Sequence, residues 1–163
     1  MVKYKEYISY IVIVIIVVLV RSFIVTPIMV HGQSMYDTLS GDEIMLLWKK
    51  KDIKRFDIVV AEYNPEHGNK ETLIKRVYAL PNETIKCENG IIYINDKKLE
   101  DNYEYGHTND FEAITLKEDE YFLMGDNREV SLDSRYFGPI RIGDIKGTTD
   151  FIIYTFNKIG KVQ

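Results

Sequence analysis

The sequence predicts a mainly β domain carried behind one apolar N-terminal helix, on three observations. Beyond about residue 25 the chain consists of short runs rich in Ile, Val, Tyr and Phe, divided by Gly, Asn, Asp and Pro, the punctuation of strands and turns. "CENGIIYIND", residues 87–96, holds two alternating runs joined at Asn89-Gly90, a pair that supplies positive φ at little steric cost. Tyr7 to Val20, "YISYIVIVIIVVLV", carries no charge and is helix-like in length.

The helix comes first in the chain. Its 14 uncharged residues fall short of the roughly 20 needed to cross a bilayer. Arg21 near the end can snorkel to the headgroups, which adds Ser22 to Ile24 and gives a span over residues 6–24. A cleaved leader would need a small-x-small site, and "RSFIVTPIMVHG" offers none. A buried core helix would need a polar face, yet Ser9 is the polar exception in an apolar run. Lys3 and Lys5 precede the span and Arg21 alone follows closely, a positive-inside bias that places the N-terminus in the cytoplasm. The organisation is then a short cytoplasmic piece over 1–5, a membrane anchor over 6–24 and an extracytoplasmic domain over 25–163.

Within that domain "FDIVVAEY", "ETLIKRVYAL", "ETIKCENGIIYIND", "EAITL", "EYFLMGDN" and "GTTDFIIYTF" read as strands, and none is long enough for a helix. "NPEHGNKE", residues 64–71, and "EDNYEYGHTNDFE", residues 100–112, read as loops, and there is no internal repeat. Residues 1–30 carry Lys3, Lys5 and Arg21 against Glu6, a net of +2, so the rest carries −6 of the total −4. An acidic domain offers no footprint for nucleic acid. The one cysteine, Cys87, has no partner for an internal disulfide and reads as a packed or half-exposed thiol on a strand.

Chemistry concentrates in three places. In "HGQSMYDTL", residues 31–39, Ser34 becomes a nucleophile only if a base accepts its proton. His31 lies three residues away, on the opposite face of an extended chain, and meets Ser34 only if the chain turns; His67 and His107 fall in polar loops. A lysine is the other possible base. At its ordinary pKa about one amine in ~2,500 is neutral at pH 7, so burial must disfavour its charge. In "ETLIKRVYAL" alternation puts Leu73, Lys75 and Val77 on one face and Ile74, Arg76 and Tyr78 on the other. Lys75 then emerges between apolar neighbours as a candidate base, or snorkels to solvent from a strand edge. The third place is Gly125–Arg135 in "YFLMGDNREVSLDSRYFGPI", with three acids, two arginines, an asparagine and two serines. It reads either as an exposed polar loop or as a bonded arginine–carboxylate network that holds a hydroxyl in place. The acids do not fall at the ligand positions of an EF-hand.

"SMYDTL" with Ser34, "LIKRVYALP" with Lys75 and "GDNREVSLDSRYFG" together resemble the motif boxes of type I signal peptidases, in order from the N-terminal anchor to about Gly138. The last box is the specific one. A single span and a short ectodomain resemble the Gram-positive form. The resemblance implies a signal-peptidase-like β ectodomain and a membrane-bound Ser/Lys endopeptidase that cuts signal peptides from exported preproteins. Ser34 would match the nucleophile and Lys75 the general base, its amine held by the hydroxyl of Ser131. Asp126, Arg128, Asp133 and Arg135 would match the supporting polar network, with Asp133 and Arg135 as a structural pair. The Ser34 N–H would donate to the oxyanion, while Gly32 stands where some members carry a second, side-chain donor. Val30 and Met35, with Leu73 and Ile74 on the strand before Lys75, would border pockets for Ala-like side chains at substrate positions −1 and −3. No metal and no organic cofactor is implied; the partners implied are preproteins and the lipid bilayer.

The chain departs from the family at Asp37, where proline is usual, and at Phe56, Ala79 and Asn82, where glycine is common. Asp37 matters most: facing the amine it would favour protonated Lys75, whereas facing solvent it would have little effect. These changes leave room for a specialised substrate, such as a pilin or another surface protein with its pilus assembly components. Two other readings stand beside this one. The first is a membrane-anchored assembly or binding factor with the peptidase fold and little catalysis. The second is a self-cleaving Ser/Lys regulator, disfavoured by the anchor and the lack of a DNA-binding segment.

Overall fold

The computed structural model of the chain describes residues 2–49, 52–65, 68–155 and 159–162. Glu66 and His67 of the expected 64–71 loop lie outside the described residues. The chain opens with α1 (Val2–Phe23), followed by β1 (Val25–Met29), β2 (Ile44–Trp48), β3 (Ile58–Tyr63) and β4 (Glu71–Ala79). Next come β5 (Thr84–Glu88), β6 (Ile91–Ile94), β7 (Lys97–Lys98), β8 (Phe111–Thr115) and β9 (Glu120–Met124). After the short helix α2 (Ser134–Phe137) come β10 (Ile140–Arg141), β11 (Ile145–Tyr154) and β12 (Gly160–Lys161).

α1 starts four residues before the expected span and ends one before it. Apolarity sets the length of a span, but a helix continues through its polar flanks. Within it Glu6–Phe23, 18 residues, is long and apolar enough to cross a membrane, and none of that window is buried. A helix that is apolar all round and leaves that face uncovered suits lipid rather than water.

The strands form two antiparallel sheets. The larger has eight strands in the order β1-β2-β11-β3-β4-β9-β10, with β12 beside β11, and the smaller has four in the order β7-β6-β5-β8. Each of the six predicted runs contains at least one strand. β1 and β2 were not legible as strands, for different reasons. β1 contains Pro27, which has no N–H to give to a ladder and is tolerated because β1 is the edge of the sheet, Pro27 facing Leu46 of β2. β2, "IMLLW", has one β-branched residue and alternates only in burial, which its Met and Leu side chains do not announce. The β5–β6 hairpin turns at Asn89 and Gly90, both at positive φ (53° and 75°), as a two-residue turn of this twist requires.

Three apolar clusters make the core. One fills the space under the small sheet around Tyr78, Ile85, Cys87 and Phe122. A second lies around Val59, Val77, Leu123 and Ile145. The third joins Val30, Met35, Leu39, Met45 and Ile58, with Ile28 and Ile74 packed against it. Cys87 is buried, and burial pushes its thiol up to about 11, which leaves it protonated and inert at neutral pH.

Candidate active site

Ser34 sits in a compact turn rather than an extended strand: Leu39 N–H donates to Met35 O (2.8 Å) and Tyr36 N–H to Gln33 O (3.2 Å). The Tyr36–Asp37 peptide bond within it is cis. The turn does not bring His31 to the serine. His31 is exposed, and the side chain that reaches Ser34 is Lys75, whose Nζ donates to Ser34 Oγ at 2.7 Å. His107 is also exposed, lying against the turn glycine Gly90.

Lys75 comes from the middle of β4, paired across to Val59 of β3, and is only 3% exposed. Burial lowers its pKa to about 8; Asp133 pulls it up, Arg135 pushes it down, and Asp126 pulls it up. Desolvation prevails because an ammonium held among apolar strands has lost the water that would solvate it. Asp37 is exposed and is not among the charges that act on the amine, so the departure from proline does not oppose a neutral lysine.

The polar stretch after β9 is buried, not an exposed loop: Asp126, Arg128, Ser131, Asp133 and Ser134 are all inside. Arg135 grips Asp133 with two donors, Nε to Oδ1 at 2.8 Å and Nη2 to Oδ2 at 2.9 Å. Asp133 also caps α2 and accepts from the Gly125 N–H at 2.9 Å. Arg128 donates to the Gly125 carbonyl (3.0 Å), to Asp101 (2.6 Å), to the Tyr78 hydroxyl (2.5 Å) and to Thr108. Gly125 itself is boxed in. A Cβ there would stand 2.2 Å from Ser131 Oγ and 2.5 Å from the Ser34 carbonyl, so only glycine permits this approach.

One expectation needs correction. The Ser131 hydroxyl lies beside Gly125, but it has no hydrogen-bond partner among the described residues and does not hold the amine. Lys75 Nζ instead meets Ser34, since Ser131 Oγ is turned against the glycine. Of the four pocket residues, Val30, Met35 and Ile74 share one apolar cluster, whereas Leu73 is half-buried and belongs to none of the three. Alternation puts Leu73 on the Lys75 face of β4 and Ile74 on the opposite face.

Sequence reasoning missed the residue next to Lys75. Arg76 is buried and donates twice to Asp126, from Nε at 2.9 Å and from Nη2 at 2.7 Å, across fifty residues of sequence. It also donates to the Phe56 carbonyl at 2.9 Å and lies 3.6 Å from the centre of the Tyr103 ring. Thr38 completes the group by donating to Asp126 Oδ2 at 2.6 Å, tying the nucleophile's turn to the network. An arginine on an apolar strand was the available signal, because a buried guanidinium requires a carboxylate. Phe56, a departure from glycine, sits at φ 69°, a strained region for a bulky residue. Its ring packs between Tyr78 and Tyr103. Asn82, at φ 65°, replaces a glycine with the residue that best tolerates that region.

Among the described residues no group of three or more His, Cys, Asp or Glu side chains is arranged to hold a metal ion. The Ser34 N–H makes no hydrogen bond to any described residue, while the Ser34 carbonyl accepts from the Asn127 N–H at 3.0 Å.

Residues 4–154 match the family described as signal peptidase, peptidase S26. A signal peptidase I of Bacillus amyloliquefaciens is 36% identical over 169 residues, 94% of this chain and 89% of that protein. One from Streptococcus pneumoniae is 32% identical over 197 residues, covering 96% of this chain and 95% of its own length. The crystal structure of a signal peptidase I from Enterococcus faecalis superposes with a TM-score of 0.52 at 32% identity, over 60% of this chain and 97% of that one. Family, full-length relatives and a solved fold agree, and the chain belongs to the signal peptidase family, peptidase S26, whose signal peptidase I members are serine endopeptidases that process signal peptides.

Proposed function

We propose that the chain cleaves signal peptides from exported preproteins after small residues, with Ser34 as nucleophile and neutral Lys75 as general base. The observation that carries this reading is the 2.7 Å contact between Lys75 Nζ and Ser34 Oγ, made by an amine whose pKa burial brings to about 8. Ser34 Oγ attacks the scissile carbonyl carbon and its proton passes to Lys75. The oxyanion that forms takes the free Ser34 N–H. The Lys75 ammonium then returns the proton to the departing amine, leaving a serine ester. Water, deprotonated by the same lysine, hydrolyses that ester and regenerates the hydroxyl. Asp133 with Arg135, and Arg128 with Gly125, keep the loop beneath the pair in place.

Substrate recognition follows from an open sheet edge. β9 pairs with β4 only at Arg76, Val77 and Ala79, so among the described residues Glu71–Lys75 have no ladder partner on that side. An extended peptide laid there would gain backbone hydrogen bonds and would set alternate side chains over the cluster of Val30, Met35 and Ile74. Residues −1 and −3 are the ones held, and small Ala-like side chains suit a surface made by those closely packed apolar residues. With residues 1–5 in the cytoplasm, 6–24 in the bilayer and the domain from 25 onward outside, enzyme and preprotein meet in one plane, which raises their encounter frequency. The intact pair disfavours a non-catalytic assembly factor. Specialisation for a pilin or another surface protein rests on Asp37, Phe56, Ala79 and Asn82.

Ser34→Ala is the direct test. The detergent-solubilised variant is expected to leave a preprotein with an Ala-x-Ala site uncut while keeping the wild-type unfolding transition; cleavage at wild-type rate would end the proposal. A second measurement is the pH profile. Since only the neutral amine is a base, kcat/KM is expected to rise about tenfold per pH unit below the Lys75 pKa of about 8 and level off above it. A profile flat from pH 6 to 10 would contradict it.

A further inference from the structure

A peptide on the free edge of β4 reaches Ser34 where β9 takes over the ladder at Arg76. It cannot continue along the sheet, so the residues beyond the scissile bond must rise over the loop that follows β9. That loop holds the nucleophile, through Asn127 N–H to Ser34 O, and it holds Tyr105 by two backbone bonds. Tyr105 N–H donates to Asp126 O and Arg128 N–H to Tyr105 O, each at 2.9 Å. The Tyr105 ring meets Tyr36, two residues after Ser34, edge to face with ring centres 5.1 Å apart and planes at 88°. Both rings stay open to solvent, Tyr36 at 41% and Tyr105 at 48%. In the same loop the exposed Val130 and Leu132 flank the buried Ser131. Tyr105 also lines, with Asp37 and Thr38 of the nucleophile's turn, a groove of about 680 Å³.

We propose that Tyr36 and Tyr105 form the subsite for the first residues after the scissile bond, and that they select preproteins whose mature part begins with an aromatic or large aliphatic side chain. The inference rests on the Ser34–Lys75 reading. An extended chain advances about 3.3 Å per residue, so positions +1 to +3 cover roughly 10 Å beyond the scissile bond, the reach of a residue two positions from the nucleophile. Rings pre-positioned by backbone bonds lose little freedom when a side chain packs on them. Exposed Asp37, next to Tyr36, disfavours an acidic side chain at the same positions.

The test uses the full chain in detergent and peptides that share one Ala-x-Ala half. Their leaving halves are three glycines, or the same with Phe placed in turn at +1, +2 and +3, or with Asp at the position Phe prefers. Wild-type kcat/KM is expected to favour one Phe peptide over the glycine peptide about tenfold and to disfavour the Asp peptide. Tyr36→Ala and Tyr105→Ala should each erase most of that preference through KM, and Tyr36→Phe and Tyr105→Phe should keep it. Absence of a preference in the wild type, or its survival in both alanine variants, overturns the subsite. So does an equal loss on every peptide, which would show that the rings only brace the nucleophile's turn. If the wild type cuts no peptide, the endopeptidase reading fails first and the subsite falls with it.

Discussion

Lys75→Met is expected to lower kcat/KM by a factor on the order of 10⁴ or more and, at the same time, to make the protein more stable at neutral pH. The loss follows because Met is close to Lys in shape but accepts no proton, leaving Ser34 without a base. The gain follows from linkage. The fold depresses the Lys75 pKa from 10.5 to about 8, so the protonated amine is the form the fold disfavours. Below pH 8 both folded and unfolded chains carry the proton and the full cost of burying it is present, about 3 kcal/mol from the size of the depression. Between pH 8 and 10.5 the folded chain is neutral while the unfolded chain is still charged, and the cost fades. Above 10.5 it is gone. Urea unfolding of the variant beside the wild type should therefore show its largest stabilisation at pH 7 and little above pH 10.5. An equal effect at both pH values would mean that the buried amine is not what the substitution relieves.

Asp126→Ala should have the largest effect on folding. Its carboxylate accepts two donors from Arg76 and one from Thr38, and both members of the ion pair are almost fully buried. Removing it leaves a buried guanidinium without a counter-charge, which costs about 3–5 kcal/mol. A domain of this size has a total stability of roughly 5–15 kcal/mol. Arg76→Met alone should cost a similar amount for the converse reason. The double variant Arg76→Met with Asp126→Leu removes both charges and is expected to recover much of the loss. Denaturant midpoints of the four proteins decide the matter; additive losses in the double variant would show that the two residues do not act as a pair.

The six strand-rich runs and the Asn89-Gly90 hairpin were legible because alternation and turn chemistry act within a few residues. The edge strand β1 was not, because a proline in a strand is acceptable only where one side faces no neighbour, and the sequence does not say which strand is at the edge. Ser34 and Lys75 were legible as candidates, and the resemblance paired them, but their contact depends on a turn at Gly32–Leu39 that alternation alone would deny. The stretch from Gly125 to Arg135 remained open between loop and network, since the same residues serve either role until something covers them. Arg76 stayed unread because its partner is fifty residues away.

The sequence by itself determined the apolar helix, the β character of the rest and the residue types available for acid–base work, all consequences of preferences that a short segment carries with it. Tertiary structure decided which groups lose water and which charges they meet. Those two quantities set the protonation of Lys75, turn a dense polar stretch into a buried support, and leave the Tyr36–Tyr105 pair open beside the nucleophile. The reason is that desolvation and charge pairing depend on neighbours in space, and space is assigned only when the sheets close.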